Sequence, residues 1–315
     1  MLNALTLERG RLVPLAENRL AEALEDATWV DLIDPDTDER DRVQRLYRQE
    51  LPETEDVDEI EASARFYEDA GGLHIHSLFL QEVEDRPRNT SVAFTVTRER
   101  LFTLREREIP AFRLLRMRAR RVAGLADDPM SVLLALLQIK IDDLADTLEE
   151  VYTGLEKISG LVLEDNDANM EDALDDLAVH EDISGKVRLC LMDTQRALTF
   201  LQRRGRLGPE HAQQVRELAH DIESLLPHNS FVFDKINFLM DAAQGFINIE
   251  QNQIIKISSI AAVVFLPPTL IASIYGMNFA HMPELGQPWA YPAALVGMVL
   301  SAIAPYAFFR YKGWL

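Results

Sequence analysis

Cysteine is almost absent: Cys190 stands alone in 315 residues. No disulfide can close within the chain, and no cysteine-based zinc site can be built. Basic residues are also scarce, 32 Lys and Arg against 52 Asp and Glu, for a net charge of −20. That balance excludes nucleic acid as a partner, because phosphate binding needs a basic face. There is no P-loop, since Gly185-Lys186 lacks the upstream glycine and the following Ser or Thr; nucleotide is not expected. No nucleophile is paired with a base, so the chain does not read as an enzyme. Its carboxylates show no EF-hand spacing, and its seven histidines (74, 76, 180, 211, 220, 228 and 281) form no clustered ligand set. With 47% hydrophobic and 27% charged residues, there is ample material for a core.

Charge is missing most completely at the C-terminal end. Residues 256–315 carry only Lys256, Glu284, Arg310 and Lys312, so residues 1–255 hold the whole acidic excess. The run 257–274 (ISSIAAVVFLPPTLIASI) is uncharged, and so is 290–309 (AYPAALVGMVLSAIAPYAFF). As a helix the first covers about 27 Å, close to the hydrocarbon thickness of a bilayer. Two such runs read as transmembrane spans. Lys256 precedes the first, Arg310 and Lys312 follow the second, and the loop between has no Lys or Arg. Basic residues stay on the cytoplasmic side, which places both termini there and the loop outside. Trp289, Tyr291, Tyr311 and Trp314 fall at interfacial depth. The opening MLNALTLERGRLVPLAE lacks the long apolar stretch of a signal peptide.

Residues 1–110 read as mixed α/β. Alternating apolar positions mark ASARFYEDAGGLHIHSLFL, with a hairpin turn at Ala70-Gly71-Gly72, and TSVAFTVTRERLFTLRE. A short helix is expected after Asp34-Pro35-Asp36. Beyond Pro110 the apolar spacing becomes helical. One long helix is expected through DPMSVLLALLQIKIDDLADTLEEVYTGLEKISGLVL, a second from about Asn169 to Leu207, and a third from His211 that ends at Pro227. Carboxylates crowd 164–182, with nine and no Lys or Arg, and 51–62, with six. Each reads as a solvated surface or as weak, multivalent attraction for cations.

The stretch after Pro227 is the most informative. A helix from Phe231 to Tyr275 would run from the cytoplasm through the bilayer, with Pro267-Pro268 tolerated inside the span. In steps of seven, one line holds Asp234, Asp241, Asn248, Ile255, Ala262, Thr269 and Gly276. Its companion holds Phe238, Gly245, Asn252, Ser259, Leu266 and Ser273. A seam of small and polar residues can simply pack against another helix. Asp234 and Asp241 suggest more, because several copies around an axis would give a tube with acidic rings at its inner mouth. Two spans cannot enclose water alone, so conduction would require an oligomer.

Directly after the first span comes Tyr275-Gly276-Met277-Asn278-Phe279, then Met282-Pro283-Glu284-Leu285. With GKVRLCLMDTQRAL (185–198), DIESLLPHN (221–229), GFINIEQN (245–252) and VVFLPPTL (263–270), the chain resembles the CorA family of magnesium and cobalt transporters, nearest its enterobacterial branch. That resemblance implies a homopentameric, funnel-shaped channel of the bacterial inner membrane. Its fold would be an α+β cytoplasmic domain, then long α-helices, then a two-helix C-terminal transmembrane hairpin. It further implies a selectivity filter of Gly276, Met277 and Asn278, with Asn278 holding hydrated Mg²⁺ through its waters. Thr269, Leu266, Ser259, Ile255, Asn252 and Asp241 would line the pore, and Glu284 would attract cations in the external loop. Asp241 and Glu217 match positions for metal binding on the cytoplasmic side, where magnesium holds the family's channels closed. The tail Arg310-Tyr311-Lys312 is less basic than is usual in the family.

The expected division is then a cytoplasmic α/β domain at 1–110, a long-helix region with an acidic tip at 111–230, and a pore-lining helix at 231–275 containing the first span. The external loop follows at 276–289, the second span at 290–309 and the tail at 310–315. The chemistry suits magnesium. Mg²⁺ holds its waters tightly, and a ring of carboxylates that stripped them would release the ion too slowly. A neutral Asn carboxamide can hydrogen-bond to the hydrate instead, and it would pass Co²⁺ and Ni²⁺ as well. An inside-negative potential supplies roughly 4.6 kcal/mol per 100 mV for a divalent ion, so no other energy source is needed. The alternatives are a zinc transporter of the same architecture and a membrane-anchored scaffold or sensor.

Overall fold

A computed structural model of the chain describes residues 1–15, 26–47, 65–83, 86–164, 169–278 and 282–313. These fall into two compact units, Met1–Met240 and Asp241–Leu315.

Local signals build the first unit. The Asp69 carboxylate accepts from the amides of Gly71 (2.7 Å) and Gly72 (3.2 Å), which closes the turn between β4 (Phe66–Asp69) and β5 (Gly72–Val83). Gly72 has φ +136, and a Cβ there would lie 2.4 Å from the Val96 carbonyl oxygen, so no other residue fits. Asp36 Oδ1 accepts from the Glu39 amide at 2.8 Å and starts helix α1 (Thr37–Tyr47) where expected. Asn169 does the same for Glu171 at 3.0 Å and starts α4 (Met170–Arg204).

The strands β1 (Leu2–Glu8), β2 (Arg11–Pro14), β3 (Trp29–Ile33), β4, β5, β6 (Arg86–Val96) and β7 (Leu101–Arg105) form one sheet, ordered β2-β1-β3-β7-β6-β5-β4. All neighbours are antiparallel except β3 and β7. Successive side chains alternate faces. Trp29, Ile75, Phe94 and Leu101 join a core with Phe112 of α2 (Pro110–Arg121) and Leu133 and Leu136 of α3 (Pro129–Glu164). Val30, Leu32, Phe102 and Leu104 pack on the other side with Val43 of α1.

Two charged networks thread the first core, and neither was foreseen from the sequence. Asp31 of β3 is fully buried and takes a bidentate contact from Arg105 of β7. Arg116 of α2 reaches Asp31 at 2.8 Å and Glu108 at 2.6 Å, and Arg105 also reaches Glu108 at 3.1 Å. Thr103 donates to Asp31 at 2.6 Å while accepting from the Trp29 indole at 3.1 Å. Two arginines and two carboxylates cancel, so the sheet and α2 are joined without net buried charge. In the second network, Asp193 of α4 accepts from Ser77 Oγ and the Leu78 amide of β5, both at 2.8 Å, and pairs with Arg65 at 3.0 Å. Lys140 of α3 donates to Ser77 Oγ at 2.8 Å, and its burial holds its pKa below the usual lysine value. Burial pushes the neighbouring Cys190 thiol up to about 12.

Helix α5 spans Pro209–Tyr275 without a break, 67 residues, so the expected end at Pro227 is corrected. An interior proline removes one helical hydrogen bond and crowds the preceding turn, at about 3 kcal/mol. Packing on both sides offsets this: Leu218 and Ile222 before Pro227, and Val232, Ile236 and Leu239 after it, are all fully buried. The second unit holds the C-terminal part of α5, a short 3-10 turn at Pro283–Gly286 and α6 (Ala290–Tyr311). Helices α5 and α6 are each long and apolar enough to cross a membrane, and their apolar stretches are exposed in the single chain.

Asp31→Ala should cost about 3–5 kcal/mol in denaturant unfolding of the full chain, because it leaves Arg105 buried without its carboxylate. The Cys190 thiol should stay unreactive toward maleimide at pH 8 until the fold is opened. Its raised pKa favours the folded state below pH 9, and that contribution should fade as pH rises from about 9 toward 12.

Candidate functional site

The seam on α5 is positioned by what the helix buries. Val232, Ile236 and Leu239 are fully buried at spacings of four and three. Asp234, Phe238 and Asp241 follow the same spacing, two residues further on, and are exposed. Two residues turn the helix by about 200°, so the seam lies opposite the buried stripe. Two contacts fix this rotation. Asn229, fully buried on α5, donates to the Ser184 carbonyl and hydroxyl of α4, both at 3.0 Å. Lys235 sits 4.9 Å above the Tyr152 ring of α3. Asn229 ends the DIESLLPHN segment, and its partner Ser184 is 45 residues away, so no local pattern marks its role.

Glu217 lies on the part of α5 before Pro227, within the first unit. It is exposed and accepts from Gln213 at 2.9 Å. Asn252, Ile255, Ser259, Leu266 and Thr269 are likewise exposed along the helix. Pro267 and Pro268 leave it unbroken, although they withhold amides from the carbonyls of Val263 and Val264. Thr269 Oγ1 turns back to donate to the Phe265 carbonyl.

The helix ends just before the Gly-Met-Asn tripeptide. The Gly276 amide still reaches the Ala272 carbonyl at 2.9 Å, and Met277 reaches Ile274 at 3.3 Å. Asn278 is exposed beyond the last turn, and Phe279 and His281 lie outside the described residues. Glu284 sits in the 3-10 turn before α6. The acidic segment 51–62 and Trp314 also lie outside the described residues. Trp289, Tyr291 and Tyr311 at the ends of α6 are strongly exposed.

Among the described residues, no three His, Cys, Asp or Glu side chains converge on a point. Two of the histidines have partners within the first unit. His74 is buried, contacting Asp69 at 2.9 Å and Thr95 at 3.1 Å, and His211 contacts Ser131 at 3.0 Å. The candidate residues instead follow one another along the chain, with Glu217, Asp241, Asn252 and Thr269 on α5, Asn278 just beyond its end and Glu284 in the 3-10 turn. Each would become a ring only if the chain were repeated about an axis.

An α/β unit continued by one helix into a polar-seamed apolar stretch, with a loop to a second apolar helix, is the layout of a two-span membrane protein. The model of the CorA-like Mg²⁺ transporter family matches residues 25–311, and the chain belongs to that family. It is 55% identical over 317 aligned residues to the magnesium transport protein CorA of Salmonella typhimurium, and 53% identical to that of Escherichia coli K12. Both alignments cover all of each chain. The fold matches the complete structure of the CorA magnesium transporter from Methanocaldococcus jannaschii with a TM-score of 0.78 at 21% identity, over 100% of this chain and 99% of that one.

Replacing Asn229 with alanine removes two buried hydrogen bonds, to the Ser184 carbonyl and hydroxyl. The full chain should lose about 1–3 kcal/mol by denaturant titration, whereas Ser224→Ala, on the exposed side of α5, should lose much less.

Proposed function

We propose that this chain transports Mg²⁺ into the cell through a pore formed by its own copies, five in number, each contributing α5. The observation that carries this reading is the opposition of the two α5 faces. Before the apolar stretch one face is consumed by the chain's own core and the other presents Asp234 and Asp241, and the stretch that follows, apolar enough to span a bilayer, carries Asn252, Ser259 and Thr269. A scaffold would need the buried stripe but has no use for a polar line that continues through the apolar stretch. A zinc carrier of this architecture draws no support from the family that the chain matches.

In the proposed path, Glu284 gathers cations in the external loop and Asn278, with Gly276 and Met277, selects by hydrogen bonding to the intact hydrate. Thr269, Leu266, Ser259, Ile255 and Asn252 line the span, and Asp241 forms the inner ring. Both termini are cytoplasmic and the membrane is the bacterial inner membrane. A carboxamide filter does not strip water, so Co²⁺ and Ni²⁺ pass with Mg²⁺. Internal Mg²⁺ closes the path by bridging carboxylates of adjacent copies, with Asp241 and Glu217 as the candidates. Unbridged, these groups repel and favour opening.

Proteoliposome uptake tests the reading. Mg²⁺ influx should be driven by an inside-negative potential and blocked by cobalt hexammine, a hydrate mimic that cannot exchange its ligands. Asn278→Ala should abolish uptake while leaving the oligomer intact by native mass spectrometry. Unimpaired uptake by that variant would refute the filter. Cysteines at Ser259 or Asn252 should cross-link between copies, and one at Leu239 should not; the reverse pattern would refute the pore line.

A further inference from the structure

The chain's acidity is broken by one region. Residues 86–121 contain eleven arginines and no lysine against three glutamates. Five of those arginines lie on α2, and one of the five, Arg116, is taken up by Asp31 and Glu108. The others are exposed and have no ion pair among the described residues. Arg113, Met117, Arg120 and Arg121, at i, i+4, i+7 and i+8, share the side of α2 opposite its buried Phe112, Leu115 and Ala119. Met117 is 49% exposed at the centre of that ridge. Beside it a cavity of about 230 Å³ opens between α2 and α3, lined by Pro110, Leu114, Met117 and Ile139 together with Arg113 and Asp143. A methionine flanked by arginines next to an apolar recess has the composition of a protein interface, where both residue types are enriched and Lys is depleted.

The complementary surface is on the same chain. Asp142, Asp146 and Glu149 recur at i, i+4 and i+7 on α3, on the side turned from its buried Leu144, Leu148 and Val151. They are exposed and have no cationic partner among the described residues, Asp142 accepting only from Gln138 at 2.8 Å. A closed ring of identical subunits needs two different, mutually fitting patches on each subunit. In such a ring, touching points lie at equal height along the axis. The α2 ridge packs beside the Ile139–Asp143 turn of α3, so its height is within about two helical turns of the acidic stripe.

We infer that the arginine ridge of α2 docks on the Asp142–Asp146–Glu149 stripe of α3 in a second copy of the chain, joining neighbouring soluble units around the ring. This rests on the oligomeric reading above and adds to it a contact outside the membrane. Because the pairs are exposed at the rim, their main effect is to fix which faces meet and to make docking sensitive to salt.

The test uses two differently tagged full-length forms, Arg121→Cys and Asp146→Cys, co-expressed, reconstituted in lipid nanodiscs and oxidised. Disulfide dimers carrying both tags are expected, with none from either form alone; buried Cys190 is common to both and serves as its own control. Adding Arg113→Glu and Arg120→Glu to the first form should abolish the mixed dimer. Adding Asp142→Lys and Glu149→Lys to the second should restore it, which a misfolded first form could not allow. No mixed dimer from a preparation that native mass spectrometry shows to be oligomeric would overturn the docking and leave the transport reading standing. A monomeric preparation would overturn both. Quenching of a fluorophore at Arg121→Cys by spin-labelled anionic lipid would place α2 on the bilayer and overturn the docking as well.

Discussion

The rotation of α5 about its own axis is the constraint on which the rest depends. Val232, Ile236 and Leu239 can be buried only if that side of the helix meets its own subunit. Burial of each large aliphatic side chain contributes about 1.5–3 kcal/mol, so the orientation is strongly preferred. The Asn229–Ser184 hydrogen bonds then hold the helix against sliding or turning on α4. With one face committed, the opposite face at this level is fixed as the line Asp234, Phe238, Asp241.

A span without charge meets a second constraint. Ionised side chains are costly in hydrocarbon, and a ring of them would hold a divalent ion too tightly to release it. The chain keeps its carboxylates outside the apolar stretch, with Asp234, Asp241 and Glu250 before it and Glu284 after it, and the seam between carries amides, hydroxyls and small residues interrupted by Ile255 and Leu266. Thr269 illustrates the economy of this arrangement: its hydroxyl bonds back to Phe265 beside the proline pair, where backbone hydrogen bonding is depleted.

The soluble unit treats charge differently inside and outside. Inside, the Asp31–Arg105–Arg116–Glu108 group cancels itself, and Asp193 gathers Ser77, Leu78 and Arg65. Outside, the arginines of α2 and the Asp142–Asp146–Glu149 carboxylates of α3 lie on separate helices. The internal groups hold the sheet to α2 and α4, so that the outward faces of α2 and α3 keep fixed positions.

Much of this was legible in the residues. The turn at Ala70-Gly71-Gly72, the start of α1 after Asp36, the cap at Asn169, both apolar runs and the seven-residue seam all rest on local rules: backbone freedom, capping, hydropathy and period. The resemblance carried by Gly276-Met277-Asn278 led to the family for the same reason, because a motif and its flanking spans are contiguous. Local reasoning failed at Pro227, where proline chemistry predicts a stop that packing on either side overrides. It also could not pair Asp31 with Arg105 and Arg116, or Ser77 with Asp193, since those partners lie 74, 85 and 116 residues apart. Sequence by itself determined which segments are helix, strand and span, because those follow from neighbours a few residues away. Only the tertiary structure decided which side of α5 is consumed by the core and which is left free, because that choice depends on surfaces brought together from distant parts of the chain.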